Sequence, residues 1–173
     1  MPTKLKDLKR LWKFYFWLIV WTLSFAPAYF FPAKLEGGLL LLARVIGLIL
    51  LLYSLFLTST GGRTLARFAH QEAHEHFWPD KFTEFGIFGC MRHAMHFGLA
   101  LFPLSIALLS GFVYAISASG WGVSAALWFI LVIEEKDTLE KYGQTYTDYM
   151  QHVPAFSLKL SCFKKSLEVW KKH

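Results

Sequence analysis

Charge is scarce in this chain. Only 17% of its 173 residues are Asp, Glu, Lys or Arg, against 55% hydrophobic and 18% aromatic, which is less charge and more apolar bulk than a soluble domain carries. Cysteine is scarcer still: Cys90 and Cys162 are the only two. Both fall on the side assigned below to the cytoplasm, and they imply no disulfide framework. No internal repeat or low-complexity tract divides the chain, so residues 1–173 read as a single domain. Acidic residues are outnumbered, 12 to 18, for a net charge of +6. The basic residues flank apolar runs and build no folded basic domain, which excludes nucleic acid as a partner.

What the chain has instead is long apolar runs. Two of them, over roughly residues 12–31 and 39–58, each match the ~20 residues that cross hydrocarbon as a helix. From Leu99 to Ile133 there is no acidic or basic side chain, a stretch too long for one span and suited to two short ones. A turn at Ser110-Gly111 gives spans of roughly 95–110 and 113–133; a turn within Ser117 to Gly122 leaves the last span short, and length favours Ser110-Gly111. The expected fold is therefore all-α: a polytopic integral membrane protein of about four transmembrane helices, followed by a cytoplasmic amphipathic C-terminal segment. Arg44, inside the second run, lies near its outer end and reads as snorkelling to the interface.

Basic residues next to the spans set orientation. Lys4, Lys6, Lys9, Arg10 and Lys13 precede the first; Arg63, Arg67, Lys81 and Arg92 separate the second and third; Lys136, Lys141, Lys159, Lys164, Lys165, Lys171 and Lys172 follow the fourth. The opposite side has little beyond Lys34. Both termini are thus expected in the cytoplasm. Ala26-Pro27-Ala28 loosely imitates a signal-peptide cleavage site, but the apolar character continues through Tyr29-Phe30-Phe31, and a span is the better reading. Phe82, Phe85 and Phe88 are expected to rest on the membrane surface, and the tail from Ser161, with Phe163, Leu167 and Trp170 among lysines, to form an interfacial anchor.

Two polar clusters bracket the second hairpin: Arg92-His93-Ala94-Met95-His96-Phe97-Gly98 before it, Glu134-Glu135 after it. Antiparallel helices of similar length return the chain to its entry depth, so both clusters share the cytoplasmic layer. Glutamates at a helix C-terminus oppose the macrodipole, which predicts that the helix runs on. Leu139, Tyr142, Tyr146 and Tyr149 continue an amphipathic spacing, with Gly143 marking a bend.

The ordered set Arg92-His93-x-Met95-x-x-Gly98, then the hairpin, Glu134-Glu135, Leu139, Tyr142-Gly143, Tyr146, Tyr149 and Val153-Pro154 resembles the isoprenylcysteine carboxyl methyltransferase and phospholipid methyltransferase family of membrane enzymes. The likeness runs from Gly86 to Phe156. It implies S-adenosylmethionine as methyl donor, a pocket at the cytoplasmic face, and a lipophilic acceptor entering from the bilayer: a prenylated cysteine carboxylate, a phospholipid amine or a small membrane-soluble molecule. Carried across, it implies cofactor contacts from His93, Met95, His96, Gly98, Glu134, Glu135 and Tyr146, with Arg92 as the catalytic candidate, orienting an anion through paired hydrogen bonds. Gly98 is expected to let the cofactor lie close to its helix. Two positions depart from the family pattern: Ala94 replaces proline and His96 replaces tyrosine.

The same histidines suggest competitors. His70, His74 and His76 with Glu72 and Glu75 would suit a histidine-rich membrane metal-binding protein, and Cys90, His93 and His96 fall at three-residue intervals. The glutamate that a metalloprotease motif needs directly after His70 is missing, and no metal is expected. A non-enzymatic membrane scaffold leaves Glu134-Glu135 unexplained.

Overall fold

The computed structural model describes residues 3–70, 79–159 and 161–171. Helix α1 spans Thr3–Phe30, α2 Gly37–Phe68, α3 Ala94–Ser110, α4 Val113–Phe129, α5 Glu135–Tyr142, α6 Gln144–His152 and α7 Ser161–Lys171. A 3-10 turn, Gly86–Gly89, precedes α3, and a π-helical segment, Ile130–Glu134, joins α4 to α5. Among the described residues the only extended pairing is an isolated bridge between Lys34 and Phe112. Gln71 to Trp78, which include His74, His76, Glu72 and Glu75 of the histidine-rich group, lie outside the described residues. So do the side chains of Phe163 and Trp170.

Two helices, Gly37–Phe68 and the continuous run Val113–Tyr142, are long and apolar enough to cross a bilayer, and Ala94–Ser110 is a shorter apolar helix. On α2, Leu39, Leu41, Leu42, Leu48, Ile49 and Leu52 are all exposed. An apolar belt of that extent has no place in water and suits a lipid environment. Helix α2 outlasts the apolar run that announces it, because nothing between Thr58 and Arg67 breaks it; Arg67 sits in its last turn, where a cation suits the helix dipole.

The chain divides into two compact units, one of Met1–Leu51 and Ala100–Leu127, the other of Leu52–Leu99 and Trp128–His173. In the first, α3 ends at Ser110 and α4 starts at Val113, with Gly111 at φ 76° supplying the left-handed turn. The turn is fastened by Leu35 N–H donating to Gly111 O at 2.9 Å and Val113 N–H donating to Ala33 O at 3.0 Å. Small residues allow close contact: a Cβ on Gly47 would lie 2.9 Å from Ser105 O, and one on Gly122 would lie 2.8 Å from Ser24 Oγ. Trp21 stacks on Phe102 at 5.0 Å. Arg44 is exposed near the start of α2 and donates to Leu109 O at 3.4 Å, a carbonyl in the last turn of α3.

The second unit has an apolar cluster of Leu57, Ile87, Phe88, Met91, Ala94 and Cys162. Two expectations are corrected here. Cys90 and Cys162, read as forming no disulfide, are bonded to each other with Cα atoms 5.5 Å apart across 72 residues of sequence. The bond follows from α7 packing on the Gly86–Gly89 turn, a contact that no local spacing announces. Phe82, Phe85 and Phe88, expected to rest on a membrane surface, have protein partners. Phe88 is buried, Phe85 packs on Phe68 of α2 at 4.4 Å, and Phe82 packs on Tyr142 of α5 at 5.3 Å and Tyr149 of α6 at 5.2 Å.

Helices α2 and α3 approach closely in this unit. Ser54 Oγ donates to Gly98 O at 2.7 Å, and a Cβ on Gly98 would fall 2.4 Å from Thr58 Oγ1 and 2.7 Å from Ser54 O. Backbone cannot withdraw as a flexible side chain can. Gly98→Ala should therefore cost about 1–3 kcal/mol, whereas Gly62→Ala, with nothing within 4 Å, should be neutral or stabilising by up to about 1 kcal/mol. Unfolding of both variants in detergent micelles checks the pair; equal stability of the two would contradict the packing described.

Candidate functional site

The site is built at the start of α3. Arg92 and His93 form the turn before Ala94, and His93 O accepts the first α3 bond, from Phe97 N–H, at 2.8 Å, so His93 occupies the N-cap. Ala94 is the first helical residue, a position where proline is favoured and alanine is harmless. The departure from the family pattern at Ala94 thus leaves the local conformation intact.

A helix N-terminus leaves backbone donors without intrahelical partners. Here a crossing stretch of chain meets the N-cap donor and the one before it: His93 N–H donates to Ala155 O at 3.2 Å and Arg92 N–H to Pro154 O at 3.0 Å. Tyr53 O–H adds a third tie, to Ser157 O at 3.1 Å. Residues 153–157 form a strap across the Arg92–His93 turn.

Glu135 enters from the other end of the hairpin. The π segment closes its last turn with Glu135 N–H donating to Ile130 O, a five-residue step in place of four. That extra residue turns Glu134 and Glu135 to directions an uninterrupted α-helix would not give them, a device frequent at functional sites. Glu135 Oε1 accepts from Arg92 Nε at 3.0 Å, from Arg92 Nη2, and from His93 Nε2 at 3.2 Å. Arg92 Nη1 donates to Val153 O, and to Met150 O at 3.5 Å. The Arg92 and Glu135 side chains are 9% and 15% exposed, dry enough for the ion pair to matter. Since a carboxylate only accepts, His93 is assigned the tautomer protonated on Nε2.

Tyr146, buried on α6, brings its hydroxyl to 3.5 Å from His93 Nε2. Burial, aided by the negative charge of Glu135, pushes its pKa up to about 12. It remains a neutral phenol throughout the physiological range and acts as a hydrogen-bonding group, not as a base. Tyr149 is raised further, by burial and then by Tyr146, and donates to Phe88 O.

The structure thus gathers Arg92, His93, Glu135 and Tyr146, with the His96 ring 6.4 Å from that of His93. It distinguishes the two glutamates: the contacts from Arg92 and His93 fall on Glu135, while half-buried Glu134 adds negative charge facing Tyr146. Met95 and Gly98 are brought against α2, Met95 beside Gly61 and Gly98 beside Thr58. The bare face of Gly98, expected to admit a ligand, is occupied by the neighbouring helix. Arg92, the catalytic candidate, has donors engaged by Glu135, Met150 and Val153. Sequence reasoning missed the π segment and these carbonyl contacts; only Val153-Pro154 hinted at the strap. Of the histidine-rich group only His70 is described, with Nδ1 3.7 Å from Asp80 Oδ1, and no group of three potential metal ligands occurs among the described residues.

The model of the phospholipid methyltransferase family matches residues 42–145. That is more than half of the chain and includes the Arg92–Gly98 turn, the hairpin and both glutamates. The chain belongs to this family of membrane methyltransferases. No curated protein and no solved structure matches it. The match begins within α2, well before the motif-bearing stretch, and ends just ahead of Tyr146.

The raised tyrosines have a consequence at high pH. A phenol whose folded pKa exceeds its unfolded value binds more protons in the folded state between the two, so stability falls as pH rises through that window. For Tyr146 the window runs from 10.0 to about 12. Thermal unfolding in detergent should show stability steady below the window and declining across it. Tyr146→Phe and Tyr149→Phe should each flatten the decline; an unchanged slope in both would refute the stated cause.

Proposed function

We propose that this chain is a four-span membrane enzyme, with both termini in the cytoplasm, that moves a methyl group from S-adenosylmethionine to a lipophilic acceptor. The observation that carries the reading is the Arg92–His93–Glu135 group, buried at a helix start and joined by Tyr146. Family membership supports methyl transfer; the basic flanks support the orientation, and the Gly111 turn supports a last pair of short spans.

The donor set fits the methyl donor. S-Adenosylmethionine carries an ammonium, a carboxylate and a ribose diol, and it supplies an electrophilic methyl group on a sulfonium. Glu134 and the second carboxylate oxygen of Glu135 suit the ammonium or the diol, since carboxylates accept from both. His96, and the phenol of Tyr146 with its proton retained, suit neutral hydrogen bonds. Arg92 neutralises Glu135 on one side and locks its orientation, so the carboxylate needs no reorganisation when a ligand binds. Because methyl transfer is an in-line displacement, these residues contribute chiefly by holding the reactants aligned and excluding water. The acceptor is a prenylated cysteine carboxylate, a phospholipid amine or a small membrane-soluble molecule.

Calorimetric binding of S-adenosylmethionine and of its demethylated product to detergent-purified protein tests the reading. Wild type should bind both, and His93→Ala, Glu134→Gln and Glu135→Gln should each raise Kd by about tenfold or more, or about 1.4 kcal/mol. A wild-type chain that is folded and binds neither compound would remove the enzyme reading, and unchanged Kd in all three variants would remove the site.

A further inference from the structure

We propose that Cys90 and Cys162 form a reversible dithiol–disulfide site, and that its oxidised state holds the 153–157 strap over the Arg92–His93–Glu135 group. The bond itself is geometric; its effect on S-adenosylmethionine rests on the function proposed above. Cys90 stands two residues before Arg92, and Cys162, the second residue of α7, stands five residues after the strap ends at Ser157. The same two stretches of chain are therefore joined twice: by hydrogen bonds from Arg92 and His93 to Pro154 and Ala155, and by the covalent link. Among the described side chains of α7, only Cys162 and Ser166 are buried, and Ser166 Oγ bonds back within the helix to Cys162 O. The hydrogen bond of α7 to the turn, Lys165 Nζ donating to Gly89 O at 2.9 Å, is exposed, where a hydrogen bond to water competes. The disulfide is thus the strongest tie at the far end of the strap.

The basic flanks assign this face to the cytoplasm, where thiol pools keep most cysteine pairs reduced. A cysteine pair placed there within bonding reach responds to that pool and is no permanent staple. Cys90 is half-buried and Cys162 is 3% exposed, so the Cys90 sulfur is the one an attacking thiolate reaches. A dithiol attacks Cys90, the Cys90–Cys162 bond breaks, and Cys162 leaves as a thiolate. Ser157 Oγ, 3.5 Å from that sulfur, is placed to donate a hydrogen bond to it until it takes up a proton. The second thiol of the reductant then displaces Cys90, which is protonated in turn, and the reductant departs as a cyclic disulfide. The reverse, two-electron oxidation proceeds by exchange with a low-molecular-weight disulfide such as glutathione disulfide.

The test uses the full chain in detergent, treated with glutathione disulfide or with dithiothreitol. Thiol state is read by the mass shift on maleimide labelling, the strap by the rate of tryptic cleavage after Lys159 and Lys164, and the site by Kd for S-adenosylmethionine. Reduction should speed cleavage and raise Kd, each by at least about fivefold, and glutathione disulfide should restore both. Cys162→Ser should cleave at the fast rate and ignore both reagents; the wild-type comparison stands even if that variant folds poorly. The proposal is overturned if both thiols stay alkylable after glutathione disulfide, if cleavage is equally fast in the two states, or if Kd is the same in both. A wild type that binds no S-adenosylmethionine in either state counts against the enzyme reading, while cleavage still decides the tether.

Discussion

Arg92 is the side chain on which the second unit depends. A carboxylate withdrawn from water as far as Glu135 needs a cation and further hydrogen-bond donors, and a lysine could not supply the fork that places two donors on one oxygen and a third on backbone carbonyls. The guanidinium reaches Glu135 at the start of α5, Met150 within α6 and Val153 at the head of the strap. Three segments distant in sequence are thereby fixed to the turn before α3. His93 adds its ring to the same oxygen while its amide helps to hold the strap, so side chain and backbone act on one assembly. An Arg92 engaged in this way holds Glu135 in place and leaves Glu134, His96 and the Tyr146 phenol as the other polar groups around it.

The acidic pair also explains the shape of the last long helix. Two glutamates at the end of an apolar run would suffer the helix dipole if the helix stopped there. Instead it continues to Tyr142, so Glu135 lies within a continuous helical run and no longer at a C-terminus. The π segment decides which way the pair faces. One extra residue in the ladder weakens local hydrogen bonding but delivers Glu135 to Arg92, and the ion pair compensates for the irregularity. Gly143, at φ 55°, then turns the chain so that α6 can return Tyr146 and Tyr149 to the site. The left-handed backbone makes glycine the suitable residue at that bend.

Much of this was legible in the sequence because the signals are local. Apolar runs locate the long helices, the lengths on either side of Ser110-Gly111 locate the turn, and the spacing through Tyr149 locates the amphipathic continuation. The spacing of the Arg92–Gly98 and Glu134-Glu135 clusters pointed to one site since a hairpin must bring its ends together. What was not legible depends on contacts between distant segments. Gly98 reads as room for a ligand until α2 is seen to occupy it. Phe82 and Phe85 read as interfacial until α6 and Phe68 provide partners, and two cysteines 72 residues apart read as unrelated until α7 lies on the 3-10 turn. The π segment has no sequence signature of its own, since Ile130 to Glu134 would suit an α-helix equally well.

The two ways in which the turn holds the strap differ in what they demand of sequence. The bonds from Arg92 and His93 amides end on the carbonyls of Pro154 and Ala155, and every residue type has a carbonyl. Proline gives up only its N–H, which this arrangement does not use, and its fixed φ lowers the entropy lost when the strap is ordered. The contacts of Arg92 with Glu135 are side-chain contacts of fixed geometry that no other pair reproduces. Backbone ties therefore make the cover of the site tolerant of substitution, and the ion pair makes its base intolerant. A group assembled this way can change the side chains of the strap, Phe156 against Phe97 at 4.8 Å among them, without disturbing the carboxylate around which the rest is built.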